Sequence, residues 1–244
     1  MYSAHHENEL PPSIIPNSEI PAENCLSGFV LLLPYFGEKP DYLDDESWEK
    51  FRIPVEEAEA AKELFEKLDL KKGWDDAANL EAAKTRIPVF QFSDDEQKQD
   101  EAGHYNSHFA FVLGYGGRKD GAFPGSKVKI YDPTSESDWI ADGTLNTLAV
   151  GQVIANPGPW TAAGESTSRF VYHPSVGETI SFGSKFEQAC YFSKCDGGIV
   201  FLDLANSTPV GLNALVTRAG DDKTSIAGNV RIYNSVEEWE KAKR

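Results

Sequence analysis

Charge is distributed along this chain in two blocks, and that partition constrains the fold more than any other feature. Residues 41–101 hold 28 charged side chains, 19 acidic and 9 basic, whereas Trp139 to Phe186 holds five: Asp142, Glu165, Arg169, Glu178 and Lys185. A dense run of charge interleaved with apolar residues suits amphipathic helices with one wet face. A charge-poor stretch rich in Gly, Ser, Thr and Pro, with no helical period, suits short strands and loops. The chain therefore reads as α+β, an antiparallel or mixed sheet with an acidic helical segment at about 44–85 packed on one side and a short C-terminal helix.

The helical reading rests on position-specific signals. Pro54 is a first-turn residue, Glu56, Glu57 and Glu59 suit a helix N-terminus, and Ala58, Ala61, Leu64, Phe65 and Leu68 recur at helical spacing. Lys71 and Lys72 before Gly73 form a C-terminal signature. A second short helix is expected from an Asp75 cap through Ala78, Ala82 and Ala83. The charges of this segment are read as a solvated helix face. At the other end, Ser235 caps a helix over 235–244 with Glu237 and Glu238 in its first turn and Trp239 on its buried side.

Between them, 87–233 reads as β-rich. Gly28 and Pro34 bound the apolar run Phe29 to Leu33, expected as a buried strand, and Ile87 to Phe92 as another. Phe109 to Tyr115 and Val128 to Tyr131 are expected to pair around the turn Gly116 to Ser126, and Ile199 to Leu204 with Val210 to Thr217 as a second hairpin. Residues 1–24, broken by Pro11, Pro12, Pro16 and Pro21, are read as an extended arm on a single domain, 25–244.

Composition narrows the function. Lys and Arg number 23 against 39 Asp and Glu, a formal charge of −16. Nucleic-acid or anionic-membrane binding needs the opposite sign, so neither is expected, while a basic protein partner is favoured. No apolar run approaches a membrane span of ~20 residues and no signal peptide is visible, so the expected location is cytoplasmic. Three cysteines in 244 residues do not form a disulfide framework. Cys190, Cys195, His104 and His108 lack zinc-knuckle spacing, no phosphate loop or dinucleotide fingerprint is present, and no metal or cofactor is expected.

One constellation points to chemistry. His108 opens one expected strand, Phe109 to Tyr115, and Asp132 closes its expected partner, so an antiparallel hairpin would set them side by side. A carboxylate beside imidazole fixes its tautomer and raises its basicity, as a general base for a thiol requires. The stretch His108-Phe109-Ala110-Phe111-Val112-Leu113-Gly114-Tyr115, followed by Ile130-Tyr131-Asp132-Pro133, resembles papain-like cysteine peptidases, in particular the SUMO-protease, adenovirus-type and bacteriocin-processing families. In the first two the order is His, acid, Gln, Cys, and His108, Asp132, Gln188 and Cys195 stand in that order. The resemblance implies that Cys195 attacks an amide or isopeptide carbonyl of a protein or peptide substrate, that His108 accepts its proton, that Asp132 orients His108 and that Gln188 supports the oxyanion. It departs from those families at Asp196, where they have Gly, and an adjacent carboxylate disfavours a thiolate. Cys25 is the alternative nucleophile, in the Cys, His, Asp order of the bacteriocin-processing peptidases, although no Gln precedes it and Pro34 follows closely. On this reading the chain is a cysteine-nucleophile hydrolase or a degenerate relative of one.

The alternative function is a non-catalytic acidic binding or immunity module for a basic protein partner. The segments Thr179-Ile180-Ser181-Phe182-Gly183, Gly198 to Leu204, Val210-Gly211 and Asn234 to Trp239 resemble the C-terminal part of the SUKH superfamily, which includes toxin-neutralising immunity proteins. Nucleophile and base within hydrogen-bond reach distinguish the first function from the second.

Overall fold

A computed structural model describes residues 2–39, 44–92, 98–124, 128–130, 139–173, 182–186, 189–219 and 230–243. The architecture is α+β. Its frame is a six-stranded mixed sheet of β2 (Phe109–Tyr115), β3 (Leu148–Gln152), β5 (Ser168–Val171), β6 (Ala189–Lys194), β7 (Ile199–Asp203) and β8 (Arg231–Tyr233). The spatial order is β5-β2-β3-β6-β7-β8, with β2 and β5 parallel and every other neighbour antiparallel. A separate two-stranded ladder pairs β1 (Asn106–Ser107) with β4 (Gly158–Pro159).

Strand β2 is covered on both faces, which is why it reads as an unbroken apolar run rather than an alternation. Phe111 points into a core with Leu26, Phe29, Val30, Leu33, Phe123 and Trp160. Ala110 and Val112 point the other way, into a core with Leu148, Cys190, Phe192, Leu202, Leu212 and Val216. The pleat sends alternate residues of one strand to opposite layers. The second core is roofed by α5 (Pro209–Val216). The first is roofed by α3 (Val55–Lys67), α4 (Leu80–Ala83) and a 3₁₀ segment, Gly28–Tyr35; α2 (Asp45–Phe51) precedes α3 in the chain, and the four-residue α1 (Tyr2–His5) lies against the 3₁₀ segment.

The acidic helices lie within the segment expected for them. Asp44 caps α2, its Oδ1 accepting from Ser47 N–H at 2.7 Å. Helix α3 carries Glu56 and Glu57 in its first turn, Lys67 in its last, and buries Ala58 and Ala61. Helix α4 starts later than the Asp75 cap implies: Asn79 precedes it, fully buried, its amide bonded to the backbone of Asp69 and Gly73.

Four strand assignments are corrected. Phe29 to Leu33 is 3₁₀ helix, begun by Ser27, whose Oγ accepts from Phe29 N–H at 3.2 Å. A short apolar run has no periodicity with which to separate strand from buried helix, and the Ser cap was the only local signal. The Phe29 ring lies between Phe90 and Phe111, with centroids 4.8 and 4.3 Å away. Ile87 to Phe92 contains a 3₁₀ turn, Pro88–Phe90, because Pro88 has no N–H for a ladder. Val210 to Thr217 belongs to α5: Thr208 Oγ1 accepts from Gly211 N–H at 3.1 Å and Pro209 occupies the first turn, a cap-then-proline signature. Strand β7 pairs instead with β6, Cys190 opposite Leu202. Val128 to Ile130 does not pair with β2 but with the N-terminal arm, through Leu10 N–H to Val128 O and Ile130 N–H to Asn8 O, both 2.7 Å. Tyr131 lies outside the described residues.

Two buried charges organise loops. The Arg169 guanidinium in β5 donates to the carbonyls of Glu165, Ala155 and Asn156 at 2.7–2.9 Å. Burial pulls its pKa down to about 10, with Glu165 acting in the opposite direction, so it stays charged at neutral pH. At the far end of the sheet Asp203 accepts from Trp239 Nε1–H at 2.7 Å and from the backbone and amide of Asn206, tying α6 (Val236–Ala242) to β7. Ser235 caps α6 through Glu238 N–H, as its sequence implies. Burial raises the Asp203 carboxyl, but the hydrogen bonds from Asn206 and Trp239 outweigh it and hold the group below the usual carboxylate range.

Replacing Arg169 with Met removes the buried guanidinium that holds the Glu165, Ala155 and Asn156 carbonyls to β5, and urea unfolding should show a loss of about 3 kcal/mol. Asp203, depressed in the folded state, adds stability that is complete above its unfolded pKa of ~3.9 and lost as pH falls through the folded value. The stability gap between wild type and Asp203→Asn should therefore be largest above about pH 5 and close below about pH 4 in denaturation curves taken across that range.

Candidate functional site

His108 sits in the link between β1 and β2 and is fully buried. Its backbone is held on both sides, donating to Phe90 O and accepting from Val153 N–H, at 2.9 and 2.8 Å. Its Nδ1 accepts from Phe92 N–H at 2.9 Å. That bond places the lone pair on Nδ1, so the neutral ring carries its proton on Nε2. A histidine oriented by a carboxylate at Nδ1 has the reverse tautomer, with Nε2 bare and ready to accept a proton. The local role of His108 is to splice the 90–92 segment onto the start of β2.

Cys195 follows β6, in the turn to β7, and its N–H donates to Thr147 O at 2.9 Å. His108 is joined to Val153. The five-residue strand β3 thus lies lengthwise between the two, and a rise of about 3.3 Å per residue puts their attachment points, Thr147 and Val153, roughly 20 Å apart. Burial, and then the neighbouring Asp196 carboxylate, push the Cys195 thiol up to about 12, away from the thiolate that a nucleophile needs. Cys190, in the second core, is raised further by burial alone. The Cys25 thiol is buried at the start of the 3₁₀ layer and donates to the carbonyl of Pro21 at 3.5 Å, not to an imidazole. The structure therefore sets Cys195 about a strand's length from His108, while the Cys25 thiol is engaged by the Pro21 carbonyl. Asp132 and Gln188 lie outside the described residues.

A second imidazole, His104, is paired with a carboxylate: its Nδ1 lies 2.8 Å from Asp100 Oδ2, and the Trp74 ring meets it edge-on with centroids 5.6 Å apart. Asp100 also accepts from the backbone N–H groups of Ala102 and His104, so the pair closes a turn. Burial raises Asp100, and the His104 and Ala102 bonds more than reverse this, leaving it below the ordinary range. Among the described residues no group of three His, Cys, Asp or Glu side chains could hold a metal ion. Nor, among those residues, is any helix long and apolar enough to cross a membrane.

An exposed acidic surface lies on the helical layer. From Asp44 to Asp69 there are ten acidic and four basic side chains. Glu56, Glu59, Glu63 and Glu66 recur three and four residues apart on the solvent side of α3, and all four are exposed. Asp44, Asp45, Glu46 and Glu49 add a second exposed row on α2. Asp45 pairs with Lys39, and Glu49 pairs with Arg52 at 2.9 Å. The remainder of α3's row has no opposite charge within ion-pair distance among the described residues. The chain matches no family model, no curated protein and no solved structure.

The separation of thiols from imidazole has a direct chemical consequence. Alkylation of Cys195 by iodoacetamide in the folded protein at pH 7 should run about a thousandfold slower than that of a free thiol of pKa ~8.5. His108→Ala should leave that rate unchanged while lowering stability by about 1–3 kcal/mol, the cost of orphaning Phe92 N–H. Fast labelling that depends on His108 would restore the catalytic pair.

Proposed function

We propose that the chain is a non-catalytic acidic binding or immunity module for a basic protein partner. The observation that carries this reading is the placement of charge on the helical layer: Asp44 to Asp69, with ten acidic against four basic side chains, sets exposed rows of carboxylates on α2 and α3. Such a surface steers a cationic partner into encounter and disfavours anionic ones. The support from the opposite direction is chemical. A cysteine hydrolase needs thiol and imidazole near contact, whereas both candidate thiols have other surroundings and His108 offers its lone pair to Phe92.

Binding measured against immobilised cationic and anionic proteins of matched size should be confined to the cationic ones. It should weaken at least tenfold between about 50 and 200 mM salt, because exposed charges interact through a screening length of ~8–10 Å near physiological ionic strength. Equal binding to both sets, or turnover of an amide substrate that is lost in Cys195→Ala or Cys25→Ala, would overturn the reading.

A further inference from the structure

An apolar cleft adjoins the glutamate row, and its chemistry narrows the class of partner. Helix α3, the chain entering it and the Pro88 turn enclose a cavity of about 150 Å³ whose wall includes Phe36, Ile53, Ala60, Ile87 and Val89. On the other flank of α3 a second hollow, about 180 Å³, shares Phe36 and Ile53 and adds Trp48 and Val55. Val55 and Val89 stand 48% and 44% exposed, so the cleft mouth is an apolar patch open to water. The first cavity has the volume of one large aliphatic or aromatic side chain, whose burial there removes apolar surface from water.

Charge decides what would bring that side chain. The lining carries Glu57 and Glu59 with Arg52, Lys62 and Arg86. Of the cations, Arg52 is paired with Glu49, Arg86 donates to Gln91 at 3.0 Å, and Lys62 is exposed three residues after Glu59 and four before Glu66. Glu59, in the wall of the second hollow, belongs to the exposed row Glu56, Glu59, Glu63 and Glu66, which runs about 15 Å along α3. An apolar floor beside an acidic row matches a segment that presents apolar anchors on one side and basic residues on the next, the pattern of a cationic amphipathic helix laid in a groove. An anionic segment would meet like charge along the whole row.

Resting on the binding function proposed above, we infer that this cleft is the docking site and that its occupant is a basic amphipathic segment of the partner protein, its apolar anchor seated against Phe36, Ile53 and Val89 and its cations along the α3 glutamates.

Three synthetic 14-residue probes test this by calorimetry with the full chain: lysine with leucine at helical spacing, the same lysines with serine for leucine, and glutamate with leucine. The leucine–lysine peptide should bind at least tenfold more tightly than the serine–lysine one, and the glutamate peptide should not bind. Val89→Asp, at an exposed position, should remove at least tenfold of the leucine–lysine affinity and leave the serine–lysine affinity unchanged or slightly raised, since the new carboxylate attracts lysine. Val210→Asp, at an exposed site on α5 across the sheet, should change neither. Thermal melts establish that both variants are folded. If Val89→Asp is folded and has no effect, or Val210→Asp has the same effect, the cleft is not the docking site, although the acidic binding function stands. If concentration-dependent self-association appears and Val89→Asp abolishes it, the occupant is a second copy and the inference is overturned. If no cationic protein or peptide binds wild type, the function fails together with the site.

Discussion

Everything in this molecule is arranged around the burial of β2 on both faces. One strand of seven residues supplies Phe111 to one core and Ala110 and Val112 to the other. A half-covered sheet would need only one roof; a strand apolar on both sides requires two. The N-terminal third meets the first requirement and α5 the second, so the order of elements along the chain follows from the need to cover a single strand twice. The aromatic column Phe90, Phe29, Phe111 and Phe123 joins the roof to the strand through successive ring contacts, each worth about 0.5–1.5 kcal/mol beyond the area it buries.

That frame also sets the distance between the groups with chemical potential. A residue at the start of β2 and one at the end of β6 are separated by the length of β3, which runs antiparallel to both. His108 and Cys195 occupy those positions. The same packing that excludes water from the sheet ends raises the thiol and commits the imidazole lone pair to a backbone donor. Reactivity at such sites would need the reverse of each: an opposite charge near the sulfur and an unoccupied ring nitrogen.

The acidic surface is a product of the same geometry. Because α3 turns Ala58 and Ala61 inward against the 3₁₀ segment, its glutamates have only the solvent side left, and they fall into a row. Small buried residues let the helix approach closely, while the larger Phe36, Ile53 and Val89 stand at its flanks and leave the cleft. A charged row and an apolar hollow therefore arise together from one packing arrangement.

Amphipathic period, capping residues and charge density were enough to place α3, α6, β2 and β7 and the α+β class, because each depends on features within a few residues: Ser235 to Glu238, the spacing of Ala58, Ala61 and Leu64, the unbroken apolar run along 109–115. Phe29 to Leu33 and Val210 to Thr217 were misjudged as strands because apolar runs of that length carry no period, and the deciding partners, the Phe90 and Phe111 rings and the floor beneath α5, lie elsewhere in the chain. The pairing of Val128 to Ile130 with residues 8–10 had no local signal at all. For the site, the acidic excess was legible as composition, and the order His108, Asp132, Gln188, Cys195 as pattern. Proximity is a property of registers, and only the tertiary structure could separate His108 from Cys195 by the length of a strand. The cleft was likewise invisible beforehand, since Phe36, Ile53 and Val89 are ordinary apolar residues until folding brings three distant stretches to one surface.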